Sequence, residues 1–107
     1  MWNEPSPERL NAIPRIYETE GVALNDKVIH LHFFLGGCDW YAAEFDGEDI
    51  FFGYVILNQD HDCAEWGYFS LKELKTVKID GFLEVDCENE EHWQVRKASQ
   101  VRGIKWF

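Results

Sequence analysis

A chain of 107 residues, 46% hydrophobic and 16% aromatic, is long enough for one core and excludes both a disordered polymer and a two-domain protein. The formal charge of −10 is unevenly placed: Arg96, Lys97, Arg102 and Lys105 fall in residues 96–107, which hold no acid, so residues 1–95 carry 20 acids against 6 bases, a balance of −14. Such a body repels nucleic-acid phosphate and complements basic proteins. The lack of a bilayer-length apolar run or a basic, apolar leader points away from membranes and to the cytoplasm.

Ser6-Pro7-Glu8-Arg9 sets a capping hydroxyl, a first-turn proline and an acid at the start of a short helix that Pro14 stops. Residues 28–34 alternate as a strand, with Ile29, Leu31 and Phe33 on one face and His30, His32 and Phe34 on the other, until Gly36-Gly37 breaks it. Residues 39–45 form a second strand, with Trp40, Ala42 and Glu44 facing one way and Tyr41, Ala43 and Phe45 the other. Asp46-Gly47-Glu48-Asp49 turns the chain into residues 50–57, which are apolar on both faces and are therefore expected at the centre of the sheet and most buried.

Residues 65–69 return as a fourth strand, and Ser70-Leu71-Lys72-Glu73 reads as a capping box that opens a helix to Lys75. Residues 77–79 and 82–85 form two short strands around Asp80-Gly81, followed by a solvated acidic loop, Glu88-Asn89-Glu90-Glu91, and a Trp93 anchor. The resulting fold class is α+β, one domain over residues 1–107, with a mainly antiparallel sheet of about five strands and short helices on one side; residues 1–12 and 96–107 are peripheral. Its core takes in Leu31, Phe33, Trp40, Ala42, Phe52, Tyr54, Ile56, Trp66, Tyr68, Leu71 and Leu74.

Residues 28–71 contain no Lys or Arg, yet hold 8 carboxylates and 11 of the 17 aromatic side chains. The acids Asp39, Glu44, Asp46, Glu48, Asp49, Asp60, Asp62 and Glu65 form the candidate binding surface, lying mainly at turns and strand ends where they project negative potential. Glu44 stands apart, because a carboxyl inside an aromatic strand is expected to titrate high.

Catalytic and metal readings find less support. Asp60-His61-Asp62 offers metal-type ligands on adjacent loop positions that rarely aim at one ion, and His30 with His32 shares a strand face without a third ligand at a defined spacing. Asp39, Glu44, Asp46 and Glu65 would make an acid/base pair only if strands two and four brought them together. No nucleophile elbow or phosphate loop occurs, and Cys38, Cys63 and Cys87 are an odd, widely spaced set, expected to be free and mostly buried. No catalytic residue and no cofactor is assigned.

Longer blocks carry a family resemblance. Ile13-Pro14-Arg15-Ile16-Tyr17-Glu18-Thr19-Glu20, the run from His32 to Phe45, Phe51-Phe52-Gly53-Tyr54-Val55-Ile56-Leu57-Asn58, the run from Ala64 to Leu74, and His92-Trp93 resemble the small proteins grouped as domain of unknown function 2958. The resemblance implies an origin in plasmids, phages or integrated elements of bacteria and brings no activity with it. The function expected is an acidic protein-binding module of a mobile element, inhibiting host defence by mimicking nucleic-acid charge before a basic or nucleic-acid-binding protein. Two alternatives stand beside it: a small carboxylate- or metal-dependent enzyme, and an accessory homodimer joined through Trp2, Trp93, Trp106 or Phe107.

Overall fold

The computed structural model describes residues 2–104. Trp106 and Phe107, two of the proposed dimer contacts, lie outside them. Helix α1 spans Pro7–Asn11, where the Ser6 hydroxyl accepts from the Arg9 amide at 3.2 Å and Pro7 fills a position with no amide to satisfy. Strands β1 (Val28–Ile29), β2 (Leu31–Leu35), β3 (Cys38–Phe45), β4 (Ile50–Ile56) and β5 (Glu65–Ser70) follow, then helix α2 (Leu71–Thr76). Strands β6 (Lys78–Ile79), β7 (Leu83–Glu84), β8 (Asp86–Cys87) and β9 (Arg96–Lys97) complete the order.

The main sheet is antiparallel throughout, with strand order β5-β4-β3-β2-β8, as the α+β reading anticipates. Its centre is β3, where the sequence placed β4. The last six residues of β3 are all buried, whereas β4 alternates between buried and half-buried. The cause lies in the connections: β8 returns to the free side of β2, while nothing follows β5 on its outer side among the described residues.

Two local irregularities change which face several side chains occupy. The single strand expected over residues 28–34 breaks at His30, so Ile29 pairs through β1 with β9 while Leu31 starts the pairing of β2 with β3. Ile29 consequently joins a different buried cluster from Leu31 and Phe33. In β3 the register to β4 slips between Ala42 and Glu44, leaving Ala43 as an extra, bulged residue. Beyond the bulge the alternation inverts: Phe45 packs with Trp40 and Ala42, and Glu44 lies opposite Phe52 on the face of Tyr41.

One face of the sheet is covered by both helices, through Leu10, Leu71 and Leu74. The other is covered by the C-terminal segment, where Trp93, Ala98, Val101 and Ile104 close over Tyr41, Tyr54 and Ile56. Ala98, Val101 and Ile104 thus belong to the core rather than its periphery. Eight of the eleven expected core residues are buried; Phe52 and Trp66 are half-buried and Tyr68 is exposed, because β5 is an edge. Asp80 and Gly81, both at positive φ, make the tight turn of the β6–β7 hairpin. At α2 the Ser70 hydroxyl accepts from the Glu73 amide as a capping box requires, but the acidic partner is Asp49, which accepts from that hydroxyl and from the Lys72 amide.

Candidate functional site

The eight candidate acids separate into groups by what they touch. Glu44, only 4% exposed, accepts hydrogen bonds from the Tyr17 amide at 3.1 Å, the Thr19 amide at 3.2 Å and the Thr19 hydroxyl. Lys27, equally buried, stands 3.6 Å away and donates to Thr19 through its carbonyl and hydroxyl oxygens. Burial alone raises the Glu44 carboxyl, but the Thr19 hydroxyl, the two amides and the Lys27 charge outweigh it. The carboxyl titrates below its ordinary value, the reverse of the expectation from sequence. This pair locks the loop after α1 onto β3.

Asp46 and Asp49 also serve the fold. The first accepts from the amides of Glu48, Asp49 and Ile50 at 2.8, 2.7 and 3.1 Å and closes the β3–β4 turn; the second caps α2. Asp39 meets His32 Nε2 at 2.7 Å, while Glu88 meets Nδ1 of the same ring at 2.5 Å. The ring stacks on Tyr41 at 4.4 Å, and burial, reinforced by Asp39 and Glu88, pushes the Tyr41 phenol upward. Sequence alone places Glu88 in a solvated loop; residue separation conceals this bridge, since His32 and Glu88 meet only when β8 adds to β2. His30 shares no hydrogen-bond partner with His32 among the described residues, and its half-buried ring lines two cavities.

The remaining acids face solvent. Glu48 is exposed at the β3–β4 turn, while Asp60, Asp62 and Glu65 gather around the exposed Cys63, whose thiol is pushed up by its hydrogen bond with Asp60 and by the three negative charges. Cys38 is half-buried and only Cys87 is fully buried, so the thiols are free but not mostly interior. Asp60 and Glu65 line a groove of about 410 Å³ with Val55, Leu57, Cys63, Gly67 and Tyr68. Tyr68 also borders the cavity of Glu44, which holds Tyr17, Glu20, Lys27 and Phe52.

Glu44 and Glu65 therefore occupy different cavities, neither of them containing a histidine among the described residues. Glu44, Glu65 and a histidine thus do not converge in one cavity among the described residues. No group of three or more metal-type ligands converges among the described residues. Trp2 stacks on Phe33 and Trp93 is buried with its indole donating to the Ile29 carbonyl, so both are engaged within the fold. No helix of the described residues is long and apolar enough to cross a membrane.

Fold and surface together define a small acidic α+β domain with one capped and one open sheet edge. The family model described as Protein of unknown function (DUF2958) matches residues 15–99, and the chain belongs to that family. No curated protein and no solved structure matches it.

Proposed function

We propose that this protein is an acidic protein-binding module, encoded by a mobile genetic element and acting in the cytoplasm, that presents its carboxylates to a basic partner in place of nucleic-acid phosphates. The carrying observation is the disposition of the bases. Lys27 is buried against Glu44, Arg9 donates to the Glu88 carbonyl, and Arg96 lies 4.4 Å over the Trp93 ring and bonds to the Gln94 carbonyl. Lys75 and Lys97 pair with Glu4 and Asp26. Much of the positive charge is thus tied down within the molecule, and the acidic surplus is left to set the outward field.

Such a surface attracts a basic nucleic-acid groove by charge complementarity, and the attraction weakens as salt screens it. The test is affinity capture from bacterial lysate at low salt, with bound proteins identified by mass spectrometry and challenged with duplex DNA. Nucleic-acid-binding proteins released by DNA and by rising salt support the reading. Recovery of no nucleic-acid-binding or defence protein at low salt overturns it.

A further inference from the structure

The two edges of the sheet are treated differently. At the β8 edge the strand is two residues long, and its end is covered by side chains: Asn3 donates to the Cys87 carbonyl at 3.1 Å and Arg9 to the Glu88 carbonyl at 3.0 Å. At the other edge β5 runs six residues in unbroken register with β4, with no Lys, Pro or bulge of the kind that blunts an exposed strand. No backbone–backbone hydrogen bond from another element reaches its outer side among the described residues.

Which backbone groups are open follows from the ladder. The Ile50 carbonyl is bonded to the Asp46 amide, on the β3 side, so Phe52 and Tyr54 also face β3 while Phe51, Gly53 and Val55 face β5. Their partners Phe69, Gly67 and Glu65 turn inward to them, leaving the N–H and C=O of Trp66 and Tyr68 pointing out.

Gly67, between those two residues, has nothing within 4 Å of where a Cβ would sit and no positive φ. Neither steric crowding nor backbone conformation requires a glycine there, although glycine weakens a strand. What its missing side chain does is open the groove that Asp60 and Glu65 line, beside the exposed Leu57 and Tyr68.

We propose that β5 takes an extended basic peptide segment of the partner as a sixth strand, bonded to the backbone of Trp66 and Tyr68. The residue opposite Gly67 projects its cationic side chain into the groove toward Glu65 and Asp60. This rests on the acidic-module reading and gives it a docking mode. Strand addition supplies affinity through the main chain, and the groove selects the side chain over it. The sign of the charge argues for a basic occupant: the charged residues that line the groove, Asp60 and Glu65, are both acids, within a base-free stretch of 44 residues. A second copy of this chain would bring the same acids to the same edge.

The experiment titrates the intact protein with a labelled peptide of alternating arginine and valine, and with the same peptide N-methylated on alternate backbone amides. Hydrogen exchange is followed in parallel. The expected result is protection of the Trp66 and Tyr68 amides on binding, with affinity about tenfold lower for the methylated peptide, which keeps its charge but loses strand hydrogen bonds. G67V, which fills the groove, and E65Q should each weaken binding of the unmethylated peptide, with melting curves confirming that both variants fold. Equal binding of the two peptides without protection of β5 overturns strand addition and leaves the acidic-module reading standing. Binding of neither peptide overturns both. Protection of these amides in the protein alone, together with a dimer in sedimentation, overturns the peptide in favour of a second copy.

Discussion

At Gly53 a Cβ would lie 1.7 Å from the Tyr41 carbonyl oxygen, a rigid backbone atom brought close beside the β3 bulge, so G53A must displace one strand from the other. Loss of about 3 kcal/mol or more is expected, read as a collapse of the urea midpoint. Its cross-strand partner Gly67 meets open space, and G67V should instead raise the melting temperature, by the equivalent of about 0.5–1 kcal/mol of strand propensity. Opposite signs at two paired glycines separate a steric requirement from an opening left on the surface. Glu44 carries a different prediction. Its carboxyl titrates below the ordinary 4.5, so its contribution is fully present above that value and is lost as pH falls through the folded-state value, where the unfolded chain binds the extra proton. Urea midpoints should therefore fall on acidification from about pH 6 to about pH 3, and E44Q should lower the neutral-pH midpoint while flattening that slope. The sequence showed Glu44 to be unusual but pointed to the wrong shift, because its partners Tyr17, Thr19 and Lys27 come from a loop whose path depends on the fold.

Among the elements, signals confined to a few neighbouring residues were legible. Ser6-Pro7 and Ser70 begin their helices through hydroxyls that accept from amides three residues on, and Asp80-Gly81 adopts the turn its composition predicts. Ser70 is the more connected cap, since it also donates to Asp49 at 2.8 Å; S70A should cost about 1–2 kcal/mol, measured by chemical denaturation, with the loss concentrated in α2 by hydrogen exchange. Strand irregularities were not legible. The break at His30 and the bulge at Ala43 each shift the alternation by one residue, and a period-two pattern read across them assigns every later side chain to the wrong face. Glu44 and Phe45 changed places for this reason. Asp49 replaced Glu73 as the acidic partner of the second helix cap, a long-range substitution that local spacing does not encode.

For the molecule as a whole, the second sheet face depends on a segment that its basic composition had marked as peripheral. Ala98, Val101 and Ile104 are buried there, β9 pairs with β1, and the Ala98 amide donates to the Lys27 carbonyl at 2.8 Å. Truncation after Val95 should strip this cover and abolish the cooperative thermal transition, with dye binding reporting the exposed apolar face. The acidic balance, the α+β class, the antiparallel meander and the aromatic core were determined by the sequence itself, because composition and short-range periodicity are properties of neighbours along the chain. Only the tertiary structure decided that β3 is central, that Asp39, Glu44, Asp46, Asp49 and Asp60 are engaged in caps, turns and polar pairs, and that Asp60 and Glu65 stand beside an open edge. Those outcomes depend on strand order, on a one-residue bulge and on where distant loops return, and each is fixed by contacts between residues far apart in sequence.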